Sequence, residues 1–506
     1  MRSITLFPPE IKQREVIFRW QVDPQTTLYR QPQFTMRFPD APGAIDLARV
    51  PEALWWTVMF ICLHSQWPLL RPCRVLLPVR LRQGEAECWN RLMDAEVATL
   101  EAYRGTNDFE RKIEIVEDGP SINYSAPMAG AANLSRCATA FSGGKDSLVQ
   151  TGLLTELTEK PALVATTSPM PPLEDHVTPR RRYILNEIQR RRNVTLIEVE
   201  SDYRANFNLG FAQELGYWIS VNELTDTFLY AASLLAAGVA AGATHLFLAS
   251  EAQVQENVER NGRVVQHNHF MYSAITQGAI NAMLRPFGVR HGSLISSLHS
   301  FQAQELLWTR YADISDLQYS CWRTKVGEMM CNRCGQCLRI TLCALALGKR
   351  PSRMGADWAT LLNEMRDWRP KTFDKPMEEA MPTEISSHQL HSQVVRDLQA
   401  VSWRDIAQAL ARDDPGALLT SRGWNAIAAF RKLQREAAAR RVGPRPGYRA
   451  GYLKLVDPLL KDSVAKIYDE HFDPADESSY AGVLARSEAM IKWITEPLNE
   501  SCSAGA

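Results

Sequence analysis

The chain has 506 residues, 45% of them hydrophobic and 23% charged, and its 57 basic and 57 acidic residues cancel. That composition suits about three soluble domains and excludes a disordered or low-complexity chain. A net charge of zero supplies no global field toward nucleic acid or an anionic membrane, which argues against both as partners.

The run Met1 to Pro9 lacks the apolar core of a secretory signal, so the expectation is a cytoplasmic protein. Alternation in Val16-Ile17-Phe18-Arg19-Trp20-Gln21-Val22 and in Gln33 to Phe38 predicts strands, and Trp55 to Leu63 and Glu85 to Leu100 read as helices. Residues 1–130 are therefore expected to form an N-terminal α+β extension.

The most informative segment is Ser142-Gly143-Gly144-Lys145-Asp146-Ser147. It follows the apolar run Cys137 to Phe141 and precedes a helical pattern in which Leu148, Leu153, Leu154 and Leu157 share a face. A strand passing through glycines into a helix gathers backbone N–H groups at a helix N-terminus, where the dipole favours an anion. Gly143 and Gly144 let a phosphate approach the backbone, Lys145 adds a cation, and Ser142 and Ser147 add hydroxyl donors. Asp146 would repel phosphate, so it suits either Mg²⁺ or a helix cap. The pattern predicts a polyphosphate ligand, with a Gly-Ser turn before an ordinary helix as the plainer alternative. It lacks the four-residue gap of a Walker A loop.

Strands and helices then alternate: a strand at Ala162 to Thr167, a helix at Arg180 to Arg192, a strand at Val194 to Val199, a helix from about Trp218 to Ala241 and a strand at 244–250. Leu294-Ile295-Ser296 reads as another short strand. Uncharged Leu229 to Ser250 prompts a transmembrane question, but Gly242-Ala243-Thr244-His245 divides it into a buried helix and strand. This alternation predicts an α/β fold with a doubly wound parallel sheet and ligands at the carboxyl ends of its strands, adenine falling near Ala165-Thr166-Thr167. The arginines of 180–192 could meet RNA phosphates; as the solvated face of a helix packed through Ile184, Leu185 and Ile188 they need no ligand.

Four cysteines crowd the next segment: Cys321, Cys331, Cys334 and Cys337. Two C-x2-C gaps and four thiols match a structural tetrahedral Zn²⁺ site, with an iron–sulfur cluster as the competing reading. Cys343 on the following helical run suits a buried apolar position. His267 and His269 read as polar loop residues. A Pro- and charge-rich linker, Trp368 to Ser387, separates residues 131–355 from a helical region within 356–506, with helical spacing at Asp405 to Arg412, Trp424 to Arg440 and Tyr452 to Phe472.

The S-G-G-K-D-S run resembles the PP-loop of N-type ATP pyrophosphatases (adenine nucleotide alpha hydrolase-like folds), which split ATP between its α and β phosphates. Together with Cys321-x9-Cys331-x2-Cys334-x2-Cys337 and the following Leu338-Arg339, it resembles 7-cyano-7-deazaguanine synthase over about residues 135–350. That resemblance implies ATP and Mg²⁺ at Ser142–Ser147, Lys145 and Asp146 as catalytic residues, and zinc on the four cysteines. It also implies adenylation of a deazaguanine-type carboxylate, followed by attack of an amine. Two runs depart from the family. Thr167 to Pro172 stands where a Tyr-Gly-Gln-Arg-like run is usual, and Glu251 to Asn257 where a Tyr-Pro-Asp-Cys-like run is usual. The activating half is retained while the acceptor half is rewritten, so a protein amine, yielding a secondary amide, becomes an eligible acceptor. The long flanks resemble the deazaguanine-synthase-like proteins of antiviral operons (the Qat and type IV CBASS groups), whose partner proteins would be candidate acceptors. Two other readings stand beside this one: a tRNA-base adenylating and thiolating enzyme, and a non-enzymatic nucleotide-binding assembly subunit.

Overall fold

The computed structural model describes residues 1–39, 45, 47, 50–108, 110–124, 136–168, 174–217, 224, 227–255, 257–267, 269–319, 321, 324, 328–332, 335–357, 402–413, 416, 419–438, 447–455 and 458–503. The expected linker at 368–387 lies outside them, as does the first part of the helix expected from Trp218.

The strands are β1 (Arg2–Leu6), β2 (Glu10–Ile11), β3 (Glu15–Asp23), β4 (Gln33–Arg37), β5 (Cys73–Leu77), β6 (Ile113–Glu117), β7 (Cys137–Ala140), β8 (Ala162–Thr167), β9 (Thr195–Ser201), β10 (His245–Phe247), β11 (Val258–Arg260), β12 (Arg263–Val265) and β13 (Arg290–Gly292). Eleven of them form one sheet in the order β13-β10-β7-β8-β9-β4-β3-β1-β5-β6, with β2 beside β3; β11 and β12 form a separate hairpin. From β13 to β9 all pairs are parallel. Counted in chain order from β7, their spatial order is 3-2-1-4-5, that of a doubly wound sheet whose order reverses between β7 and β10.

Period-two alternation explains why both faces of this half are covered. On β8, Ala162 and Val164 join one core with the helix Thr227–Ala240, while Leu163 and Ala165 join another. That second core takes Leu148, Leu153 and Leu154 from the helix Lys145–Leu157 and Ile184, Leu185 and Ile188 from the helix Glu174–Arg191. The helix expected at 180–192 thus starts earlier and runs through Pro179.

The N-terminal strands continue the same sheet. β4 pairs antiparallel with β9 through Met36↔Ser201 and Arg37↔Glu200. The Asp202 carboxylate accepts from Thr35 N at 2.7 Å, and Phe34 and Tyr203 meet edge to face at 5.1 Å. The helix Glu52–Leu63 is apolar nearly throughout and buried, and just beyond it His64 packs its ring 4.8 Å from that of Phe228. β1, β5 and β6 extend this half, none of them evident from alternation alone.

Two sequence expectations change. Leu294–Ser296 forms turns, and the edge strand is Arg290–Gly292 instead. The apolar run is satisfied without a ladder, since Leu294 N donates to Gln150 Oε1 at 3.1 Å and Leu298 N to Ile295 O at 3.0 Å. The helix expected over Tyr452–Phe472 is broken into a 3₁₀ segment, Ala450–Leu455, and a helix, Lys461–Asp469. Pro458 disfavours helical backbone in the residue before it. A helix at Ala481–Ser503, absent from the sequence reading, crosses Ala274–Leu284 so closely that a Cβ on Gly278 would lie 2.7 Å from Ile491 Cδ1. Among the described residues, no helix is long and apolar enough to cross a membrane.

Candidate nucleotide site and metal centre

The Ser142–Ser147 segment leaves β7 at its carboxyl end, beside the point where strand order reverses. Gly143 has φ +78°, a left-handed conformation natural to glycine, and a Cβ there would sit 3.3 Å from Ile184 Cδ1. Gly144 is the helix N-cap, in extended conformation. The first helical bond is Leu148 N to Gly144 O, so the N–H groups of residues 145–147 precede the intrahelical ladder. Ser147 Oγ donates to Gly144 O at 3.0 Å, and Ser142 Oγ accepts from Gly144 N at 3.4 Å.

A pocket opens over this turn. Its loop wall carries Phe141, Ser142, Gly144, Asp146 and Ser147; Leu248 and Ala249 after β10, together with Tyr230 and Tyr272, form the opposite side. The sequence-expected phosphate residues are thus contiguous, at a concave site, and at the switch point where open α/β sheets receive ligands.

Asp146 does not cap the helix. Its carboxylate takes Lys145 Nζ at 2.5 Å, and the same ammonium contacts Glu251 Oε1. Lys145 and Glu251 are both buried, and Glu251 Oε2 has no hydrogen-bond partner among the described residues. Sequence reasoning placed Glu251 only in a rewritten loop. Its position immediately beyond β10, across the strand-order reversal from the loop, was the available signal. Asp146, a carboxylate on the pocket wall, has the hard oxygen donors that suit Mg²⁺.

Where adenine was expected, Thr166 Oγ1 is buried without a partner among the described residues, and Thr167 Oγ1 accepts from Arg181 Nη1 at 3.5 Å. Pro169 to Pro172, the first rewritten run, lie outside the described residues. The arginines of the helix Glu174–Arg191 and its end do not form one basic face. Arg190 pairs with Glu187, Arg191 with Glu187 and Asp316, and Arg192 with Asp313, whereas Arg180 and Arg181 turn inward.

Three of the four cysteines come together. The Sγ atoms of Cys321, Cys331 and Cys337 lie within 4.8 Å of one another, and Cys331 and Cys337 are 3.8 Å apart. Sulfurs at about 2.3 Å from a tetrahedral Zn²⁺ are separated by about 3.8 Å, so this thiol set fits a metal such as zinc. Cys334 lies outside the described residues. Cys343 is buried in the adjoining core. The cysteine segment is tied to the Ser142–Ser147 turn: Tyr319, two residues before Cys321, donates its N–H to Gly143 O at 2.8 Å.

His267 and His269 lie on a loop after β12 with their rings stacked at 5.2 Å. Burial holds His267 well below the usual imidazole range and His269 down to about 4. They are packed neutral groups, more enclosed than their polar surroundings in sequence suggested.

Scans against family models, curated proteins and solved structures each find no match. The functional reading therefore rests on the site.

Proposed function

We propose that this protein is an AMP-forming ATP pyrophosphatase that adenylates a deazaguanine-type carboxylate and passes the acyl group to an amine. The observation that carries the proposal is the S-G-G-K-D-S turn, seated at the head of a helix at the strand-order reversal and facing a pocket. The N–H groups of residues 145–147, the Lys145 ammonium and the Ser142 and Ser147 hydroxyls would hold the β and γ phosphates. Mg²⁺ held at Asp146 would neutralise phosphate charge.

The carboxylate oxygen attacks the α-phosphorus and pyrophosphate departs; the amine then attacks the acyl carbon, AMP departs, and the nitrogen loses a proton. Positioning and charge neutralisation suffice, and no protein nucleophile is required. With ammonia the product is a primary amide, which a second activation can dehydrate to a nitrile. With a protein amine it is a secondary amide, and the route ends there. The rewritten runs after β8 and β10 favour the second acceptor, in the setting of bacterial antiviral defence and a cytoplasmic location.

The inward and acid-paired arginines support this reading over tRNA modification, because they leave little of that helix as a basic face. The cysteine group would serve as a structural zinc knuckle bracing the loop through Tyr319. The test is incubation with ATP, 7-carboxy-7-deazaguanine and either ammonium or candidate partner proteins. AMP, pyrophosphate and a modified base or mass-shifted partner are expected. AMP and pyrophosphate with neither product refute the acceptor chemistry, and binding without turnover, unaffected by Lys145→Ala in biological assays, favours an assembly subunit.

A further inference from the structure

The helix Glu174–Arg191 divides its arginines between two tasks. Toward its end the guanidiniums are neutralised, Arg191 by Asp316 at 2.5 Å and the following Arg192 by Asp313 at 2.5 Å. Arg180 and Arg181, about three turns earlier, have no such acid pair among the described residues. Arg180 Nε and Nη2 and Arg181 Nε are shielded from solvent and have no hydrogen-bond partner among the described residues. Burial depresses the basicity of both, a direction expected when a cation is desolvated without sufficient compensation.

Their position relates them to the phosphate loop. Arg180 stacks its guanidinium on Tyr319, 5.6 Å from the ring centroid, and on Tyr183 at 5.8 Å. Tyr319 is bonded through its backbone to Gly143, and Ile184, one turn beyond Arg180, is the side chain nearest the Gly143 Cα–H face. Arg180 is therefore fixed against the loop's outer side. Arg181 reaches the carboxyl end of β8 at Thr167 and lies near enough to Tyr230, on the pocket wall, to be influenced by it electrostatically. Glu198 and Arg204 also act on Arg181, with opposite signs.

Rigid guanidiniums with unpaired donors suit an anion with several oxygens, and a desolvated cation gains most from such a partner. We propose that Arg180 and Arg181 form a clamp for the two terminal phosphoryl groups of the nucleotide, retaining them as pyrophosphate after cleavage. The clamp rests on the nucleotide reading above and adds to it a second, arginine-based contact besides that of Lys145. It also explains why a helix otherwise pinned by acid pairs leaves these two side chains without one among the described residues.

The test is calorimetric titration of the full chain with inorganic pyrophosphate, an α,β-methylene ATP analogue and AMP, without turnover. Arg180→Ala and Arg181→Ala should each weaken pyrophosphate and the analogue by roughly tenfold or more, the expected loss of a charge-assisted contact, while AMP is unchanged. Arg→Lys variants should retain part of the affinity, since charge survives and the fork does not. If Arg180→Ala fails to fold, Arg181→Ala and Arg180→Lys provide the same comparison. Unaltered pyrophosphate binding in folded variants overturns the clamp alone, as does equal weakening toward AMP. Loss confined to 7-carboxy-7-deazaguanine overturns it as well, assigning the arginines to the acceptor acid. Wild-type silence toward all three phosphate probes overturns the nucleotide reading and the clamp together.

Discussion

In the proposed reaction Lys145 starts already occupied, and Glu251→Gln measures what that occupation is worth. The ammonium is held between Asp146 and Glu251, with side chains of Lys145 and Glu251 only 9% and 8% exposed. A phosphate arriving at the loop has to draw the ammonium from Glu251 and must also approach a buried negative charge. Charge-assisted hydrogen bonds contribute about 1.5–3 kcal/mol each. Replacing the carboxylate with a neutral amide weakens the competing bond and removes the repulsion while keeping an acceptor of the same shape. Pyrophosphate affinity measured by calorimetry without added metal should therefore rise about tenfold to a hundredfold, at about 1.4 kcal/mol per decade. The unliganded fold should lose stability, because breaking a buried ion pair by removing one partner costs up to about 3–5 kcal/mol. Opposite shifts, weaker unliganded stability with tighter pyrophosphate binding, are the signature. A folded variant that binds pyrophosphate no better than wild type refutes the idea that Glu251 restrains Lys145.

Three further outcomes follow from particular residues. The purified chain should contain about one zinc, and Cys321→Ser or Cys337→Ser should lower both metal content and nucleotide affinity, because Tyr319 carries the knuckle's position to Gly143; elemental analysis with calorimetry checks this, and full affinity in a metal-free variant contradicts it. Gly143→Ala should cost about 1–2 kcal/mol for a left-handed alanine and displace Ile184, reducing affinity for the ATP analogue more than overall stability, as binding and urea denaturation will show. Burial holds the His291 and His299 imidazoles down to about 4, below their unfolded value near 6.5. Neutral in the fold, they contribute fully above about pH 6.5, and stability falls as the pH drops through that value toward 4, since the unfolded chain takes up the protons. Each adds a slope of about 1.4 kcal/mol per pH unit in that window, and His291→Phe should remove one such increment from urea denaturation series between pH 6 and 4.5.

The half of the fold carrying the loop was legible because its signals are local. β8 falls at Ala162–Thr167 as read, and Leu148, Leu153 and Leu154 mark the buried side of the following helix. The Ser142–Ser147 turn was readable for the same reason, being six neighbours between a strand and a helix. What escaped depends on distant parts of the chain. β1 pairs with both β3 and β5, and β5 with β6, so Arg2–Leu6, Cys73–Leu77 and Ile113–Glu117 take their strand identity from partners distant in the chain. Glu251 acquires its role from a lysine more than a hundred residues earlier, and the inward turn of Arg180 depends on Tyr319. The arginine run looked uniform in sequence because helical periodicity reports which face is buried, not which cations find acids there.

The seam between β4 and β9 has a practical consequence for anyone wishing to dissect this chain. Trimming residues 1–130 to isolate a minimal fragment carrying the Ser142–Ser147 turn would strip the partner from one edge of the parallel sheet and uncover the aromatic side of Tyr203 and Phe228. A raw strand edge beside exposed rings invites self-association. The leading segment therefore behaves as a splint, and shorter versions of the protein should be soluble only if something else is supplied to shield that margin.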